Sequence, residues 1–325
     1  MTLQISVIIL NWNGRHLLPG CLAALDAQTF RDFEVIVVDN GSHDDSMEWL
    51  TSAYPAVRLI QNAANLGFAT ANNQGIRAAQ TPLIMLLNND AYLAPDCLQK
   101  LVEAADRMVW AGMFACKILQ HAAPERMDSA GIEVDRAGVA WNRGWGEAAA
   151  QHTHALEVFG PSAAAALYRR VMLDQIGLLD DDFFIYYEDV DLAWRAQWAG
   201  WRCWYVPEAA ADHRHSATTG RGSTFKARLL GRNKWWAIVK NYPFAQLWYD
   251  VPLLLVVDAV AVLAALVLDR NFSAVRGRWE ALLGWRLMWG KRAALRRTAA
   301  RHSGQAEWRQ KLIAVPWQRW RSRAG

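Results

Sequence analysis

Between residues 5 and 110 the chain repeats one rhythm four times: a short apolar run, a polar loop, then an amphipathic stretch. "ISVIIL" leads through "NWNG" to "HLLPGCLAAL", and "FEVIVV" leads through "DNGSHDD" to "SMEWLTSAY". "VRLIQ" leads through "NAANLGF" to "ATANNQGIRAA", and "PLIMLL" leads through "NNDAYLAPD" to "CLQKLVEAA". Short β-branched runs alternating with helical patterns predict βαβ units. The fold class is therefore α/β, with a mainly parallel central sheet flanked by helices. Strands covered on both faces need no polar alternation, and these show none.

In such a sheet, ligands bind in the crevice at the carboxyl ends of the strands. Asn11, Asp39 and Asp90 each follow an apolar run, so three loops bring polar groups to one rim. Asn88-Asn89-Asp90 has two readings. A carboxylate flanked by amides can hold a divalent cation, Mg2+ or Mn2+, together with substrate phosphate oxygens. The same triplet can equally be a turn that caps the next helix. Asp39 in "VIVVDNGSHDD" can accept a hydrogen bond from a base imide or a ribose hydroxyl, or close an Asx-turn. "NLGFATANNQGI" sets glycine and asparagine beside a helix start, a place suited to backbone N–H contacts with a diphosphate. It is neither GxGxxG nor a Walker loop, which removes support from dinucleotide-binding and ATP-hydrolase readings.

Further along, "VFGPSAAAALYRRVMLDQIG" reads as a small-residue strand feeding a helix. In "GLLDDDFFIYYEDVDLAWRAQWAGWR", Asp181, Asp182, Glu188, Asp189 and Asp191 crowd beside four aromatic residues. Acids in the first turn of a helix opening near Glu188 are favoured by its dipole, a purely structural explanation. An aromatic platform beside a carboxylate is also what sugar binding and deprotonation of a hydroxyl require. "WRCWYVP" reads as a last strand, after which "DHRHS" places His213 and His215, either of which can serve a metal or a phosphate.

The four cysteines have no CxxC or zinc-type spacing, which points to reduced structural thiols and a cytosolic compartment. The opening "MTLQISVIILNWNG" reads as a strand and not as a signal peptide. Charge is unevenly spread. Residues 269–325 hold fourteen Lys and Arg against three Asp and Glu, while the rest of the chain holds twenty-one against twenty-eight. The basic part carries Trp279, Trp285, Trp289, Trp308, Trp317 and Trp320. It follows Val251 to Leu268, eighteen residues with a single charge, Asp258. That length is borderline for a bilayer of roughly 30 Å, and a central aspartate would cost about 2.5–3.5 kcal/mol on insertion. A helix lying in the interface is the favoured reading, with a true span and a buried core helix as its competitors. An anionic membrane surface suits the basic, tryptophan-rich end better than a nucleic acid does. The predicted domains are 1–222, with halves of about 1–120 and 121–222, and a helical, membrane-associated region at 223–325. The edge is expected near Gly220 to Ser223.

Six segments in order, "SVIILNWNG", "VIVVDNGSHDDS", "NLGFATANNQGI", "LLNNDAYLAPD", "GPSAAAALYRRVMLDQIGLLDDDFFIYYEDVDLAWRAQWAGWR" and "DHRHS", resemble the family 2 nucleotide-sugar glycosyltransferases. These have a GT-A fold, and the closest likeness is to the rhamnosyltransferase-like branch of bacterial surface-polysaccharide synthesis. The resemblance covers about Ile5 to Ser216. It implies nucleotide contacts at Asn11 and Asp39, with Asp39 reading the base, and a loop facing ribose and diphosphate at Asn65, Gly67 and Asn72. It makes Asn88-Asn89-Asp90 the DxD-type element, with Asp90 the metal-binding carboxylate and an asparagine where a strict motif has its first aspartate. Asp189 becomes the catalytic base, paired with Glu188, and His213 a metal or diphosphate contact. The implied activity is an inverting transfer of a sugar from a nucleoside-diphosphate donor. The acceptor is a glycan or a lipid-linked hydroxyl at the cytoplasmic face of the inner membrane, and dTDP-rhamnose is the favoured donor. Two rivals stay open at this point: a sugar-nucleotide nucleotidyltransferase, for which "NWNGRHLLPG" is a poor signature loop, and a non-catalytic membrane-associated sugar-binding protein.

Overall fold

The computed structural model describes residues 3–214, 223–268, 270–299 and 312–316. His215, Trp308, Trp317, Trp320 and the expected edge at 220–222 lie outside the described residues. The chain forms two compact units. One comprises residues 1–132, 142–196 and 201–217, and the other 133–141, 197–200 and 218–325.

The first unit begins with the four repeats. β1 (Ile5–Asn11) is followed by α1 (Leu18–Asp26), β2 (Phe33–Asp39) by α2 (Ser46–Ala53), and β3 (Arg58–Gln61) by α3 (Phe68–Ala78). β4 (Leu83–Asn88) runs through a two-residue turn into the short β5 (Ala91–Leu93), and α4 (Cys97–Arg107) follows. β1 pairs in parallel with β2 and β4, and β2 pairs in parallel with β3. Ile5, Val7, Ile8 and Ile9 are all fully buried, although successive side chains point to opposite faces. Each such side chain contributes roughly 1.5–3 kcal/mol on burial, so the apolar runs need both layers of helices. Gly75 lets α3 settle against this sheet, since a Cβ there would come within 2.5 Å of Ile8.

The sheet continues with β6 (Ala111–Gln120), β7 (Ala123–Ser129), β10 (Leu156–Val158), β11 (Ala165–Arg169) and β12 (Arg202–His213), while β8 (Ile132–Val134) and β9 (Ala140–Asn142) make a separate hairpin. Among the described residues the main sheet runs β10-β12-β6-β11-β4-β1-β2-β3, with β5 on β12 and β7 on β6. β11 is antiparallel to both β4 and β6, whereas β6 and β12 are parallel. The result is the expected α/β sheet, with antiparallel strands set into its second half. α5 (Arg170–Ile176) and α6 (Glu188–Trp198) follow β11. Arg195 joins them: it pairs with Asp191 at 2.8 Å and donates to the Ile176, Gly177 and Leu178 carbonyls at the end of α5. Of the acids crowded near α6, Asp191 is thus structural.

The second unit is helical: α7 (Thr224–Asn241), α8 (Phe244–Val267), α9 (Ser273–Leu283) and α10 (Trp285–Ala299). α8 is long and apolar enough to cross a membrane by length and composition. Its pattern is nevertheless inverted. The buried residues Gln246, Asp250, Leu254, Val257 and Asp258 form one stripe that carries all of its charge. Asp258 accepts from Lys234 at 2.5 Å, from Arg278 at 3.0 Å and from the Trp235 indole at 3.0 Å. Burial pushes its carboxyl up, but Arg278 and Lys234 outweigh this and hold it at about 2. Asp250 accepts from the Tyr242 hydroxyl at 2.6 Å and pairs with Arg136. The opposite side of the helix bares Trp248, Tyr249, Val256, Leu263 and Val267, the last 72% exposed.

Candidate active site

The parallel register brings the polar strand ends side by side, with Asn11 opposite Asp39 and Leu10 opposite Asn88. Asn11 is fully buried and engaged at both ends of its amide. Its nitrogen donates to Asp39 Oδ1 at 3.2 Å and to Ser46 Oγ at 3.1 Å, and its oxygen accepts from Asn89 at 2.9 Å. Asn11 and Asn89 therefore tie the β1 and β4 ends together instead of presenting their amides outward. Asp39 closes the Asx-turn that "DNGS" also allows, accepting from Ser42 N–H at 3.1 Å and Ser42 Oγ at 2.5 Å. The turn leaves Asp39 at the end of β2, beside Asn11 at the end of β1.

The β3–α3 loop is shaped by Asn40, which the sequence reading did not single out. Its amide donates to Asn65 Oδ1 at 2.9 Å and to Gly67 O at 3.2 Å, and it accepts from Leu66 N–H at 2.9 Å. Gly67 opens α3 with φ +86°, and a Cβ there would meet the Phe184 ring at 2.5 Å. Asn65 is exposed on this loop. Asn72 is buried one turn into α3, its amide spent on the Phe68 carbonyl at 2.9 Å, so the structure does not bring it to the rim.

The segment ahead of Glu188 and Asp189 folds against the same helix. Phe184, Tyr186 and Tyr187 hold φ values of +66°, +71° and +70°, a left-handed run that costs about 1–3 kcal/mol per residue. α3 stabilises it: Phe184 O accepts from Ala69 N–H at 3.1 Å, and buried Asn73 donates to Asp181 at 2.7 Å and to Leu179 O at 2.8 Å. The run delivers Glu188 and Asp189 to the start of α6. Asp189 is partly accessible and accepts from Ala163 N–H at 3.2 Å and Val190 N–H at 2.8 Å. Ala164, next to Ala163, accepts from Asn88 N–H at 2.9 Å. One bonded path thus crosses the neighbouring strand ends, from Asp39 through Asn11 and the Asn88-Asn89 turn to Asp189.

Burial raises the Asp189 carboxyl above the ordinary aspartate value, although the Ala163 and Val190 N–H groups pull it back. Glu188 is more deeply placed. Burial, and then the adjacent Asp189 charge, push it well above the glutamate range, and its Oε2 has no hydrogen-bond partner among the described residues. Asp189 is the more accessible member of the pair.

Asp90 ends the β4–β5 turn. His213 is the last residue of β12, not a loop residue beyond it, and it pairs with Ala91 of β5. That pairing sets His213 Nε2 at 3.2 Å from Asp90, while Nδ1 bonds Asp128 on β7. Burial opposes charge on His213, but Asp128 and Asp90 on either side outweigh it and push its pKa up to about 9. Among the described residues no three His, Cys, Asp or Glu side chains are arranged to hold an ion. Two protein donors, Asp90 and His213, fit Mg2+ or Mn2+ of the kind completed by substrate phosphates and water. Asp128 was missed in the sequence because "ERMDSAG" has no motif and its partner lies 85 positions away.

A mainly parallel sheet flanked by helices, with acids and amides gathered at its strand ends, is an α/β fold of GT-A type. Glycosyl transferase family 2 matches residues 6–177, more than half of the chain, and the chain belongs to that family. It is 32% identical over 246 residues to the N-acetylglucosaminyl-diphospho-decaprenol L-rhamnosyltransferase of Mycobacterium tuberculosis, covering 68% of this chain and 79% of that one. In fold it is similar to TarS 1-349 of S. aureus (TM-score 0.59, 15% identity, 92% of this chain and 88% of that one). It is similar also to the mannosyltransferase PcManGT of Pyrobaculum calidifontis in complex with GDP-Man and Mn2+ (TM-score 0.53, 17% identity, 94% and 89%).

Proposed function

We propose that this chain is an inverting glycosyltransferase that moves a sugar, rhamnose in the first instance, from a nucleoside-diphosphate donor to a hydroxyl of a lipid-linked glycan. The observation that carries this reading is the bonded path from Asp39 to Asp189 along neighbouring strand ends. Asp39 and the Asn65–Gly67 loop would take the nucleoside and diphosphate, with Asn88 at the same rim. Asp90 and His213 would hold a divalent cation, as the fold neighbour with GDP-Man and Mn2+ suggests. When bound, the cation neutralises charge on the departing diphosphate. Asp189, its proton affinity raised by burial, takes the acceptor hydroxyl's proton as that oxygen attacks the anomeric carbon. The proton moves to Asp189 Oδ, the bond to the diphosphate breaks, and one displacement inverts the configuration. The lipid-linked acceptor follows the mycobacterial relative's name, which specifies a diphospho-decaprenol substrate.

The inverted α8 supports attachment to the membrane surface and not a span, since its charges are satisfied inward and its apolar side is bare. A single experiment tests the catalytic reading. The full chain is incubated with dTDP-rhamnose, Mn2+ and a prenyl-diphosphate-linked N-acetylglucosamine, and the products are identified. Release of dTDP with an anomerically inverted product is expected. Pyrophosphate release would favour a nucleotidyltransferase, and an intact donor would favour a sugar-binding protein.

A further inference from the structure

Asp128 is buried to 1% exposure and sits at an irregularity in its strand. Along β6 and β7, Leu119 pairs with Met127 and Ile118 pairs with Ser129, so Asp128 is the extra residue of a β-bulge. Bulges re-aim side chains, and they recur beside active sites. This one turns the carboxylate onto His213 Nδ1, while Asn142 donates to the other Asp128 oxygen at 3.3 Å. With Nδ1 bonded to Asp128, His213 presents Nε2 to Asp90 at 3.2 Å. Three chain segments far apart in sequence thus converge in the order Asn142, Asp128, His213, Asp90.

We infer that Asp128 is a positioning residue for the cation site: bonded to Nδ1, it fixes the His213 ring plane so that Nε2 is the nitrogen set beside Asp90. This rests on His213 being a cation ligand. A carboxylate hydrogen-bonded to the far nitrogen of a ligating histidine fixes its orientation and raises its basicity. Losing such a partner typically weakens metal affinity by about 10–100-fold. The other buried aspartates are engaged differently. Asp191 and Asp258 answer arginine or lysine, and Asp135 accepts from backbone N–H groups and an indole. Asp128 addresses a ring whose opposite nitrogen faces the proposed metal-binding carboxylate.

The test is Mn2+ binding by electron paramagnetic resonance to the full chain, with no donor and no turnover. Asp128→Asn is compared with His213→Ala, and thermal unfolding of both apo variants is followed in parallel. Asp128→Asn keeps the shape and one acceptor but loses the charge, and it should weaken Mn2+ binding by about 10–100-fold. The His213 ring resonances in the metal-free protein should shift, reporting the altered Nδ1 contact. Asp128→Glu should recover part of the affinity. If His213→Ala loses Mn2+ and Asp128→Asn does not, the inference is overturned while the metal reading stands. If neither variant changes Mn2+ binding, both fall. A loss in Asp128→Asn that merely tracks a lowered unfolding temperature, with His213 resonances unchanged, also overturns it in favour of a packing role.

Discussion

Both units bury carboxylates, and two pairs of them are answered in opposite ways, although Asp191 of the sheet unit also has its arginine. In the helical unit, Asp258 has a lysine, an arginine and an indole, and Asp250 has an arginine and a tyrosine hydroxyl. In the sheet unit, Glu188 and Asp189 meet no cation among the described residues. Backbone N–H groups alone steady Asp189, and one Glu188 oxygen has no hydrogen-bond partner among those residues. The first arrangement lowers a carboxyl's proton affinity and the second raises it. A carboxylate that only holds structure is satisfied. One short of partners in a buried setting has its proton affinity raised, which is the condition the proposed base requires.

Four substitutions or measurements break or sharpen that contrast. Asp189→Asn should lower kcat by about 1,000-fold, within the range for losing a general base, with donor affinity near wild type by calorimetry. Retained turnover would place the base elsewhere. Asp258→Ala strands Lys234 in the interior and should cost about 3–5 kcal/mol in a denaturant titration. A change under 1 kcal/mol would show that the helical unit does not depend on its ion pairs. Glu188→Gln removes a carboxyl that burial disfavours when charged, and should stabilise the chain by about 1 kcal/mol at pH 8. Because the folded-state pKa of Glu188 is raised, wild type regains that stability as pH falls through that raised pKa, and holds all of it below the ordinary glutamate value. The variant's advantage should therefore vanish in acid, and an advantage independent of pH would contradict this account. The smallest effect is on the pH–rate profile. Activity needs ionised Asp189, so kcat/KM should fall as pH drops, with a midpoint above the ordinary aspartate value of 3.8. A midpoint at or below that value would mean that the backbone N–H groups prevail over burial.

The parallel half of the sheet is legible in the chain, because a strand buried on both faces is a run of apolar residues and its polar end stands out. Asp39 and Asp90 are read on that basis, and the Glu188-Asp189 pair from acids crowded beside aromatic residues at a helix start. β11 is harder: "AAALYR" looks like any small-residue strand, and its antiparallel seat between β4 and β6 depends on pairings distant in sequence. Asp128 is harder still, since it gains meaning from a bulge and a histidine on another strand. Asn11 and Asn72 show the reverse case. Their residue type fits a ligand-binding loop, but hydrogen bonds at home use up Asn11's whole amide and turn Asn72's nitrogen back onto its own helix. The inversion of α8 was invisible in composition, because it depends on which way Asp250 and Asp258 face, and their partners come from other helices and from Arg136.

The Phe184 ring fills the space that any side chain larger than hydrogen would claim at Gly67. The two positions therefore share one parcel of volume, one at the start of α3 and the other just ahead of Glu188 and Asp189. Trimming Phe184 alone should not open Gly67 to substitution, because the glycine's φ of +86° and the Phe184 carbonyl at 2.8 Å would still exclude a side chain there.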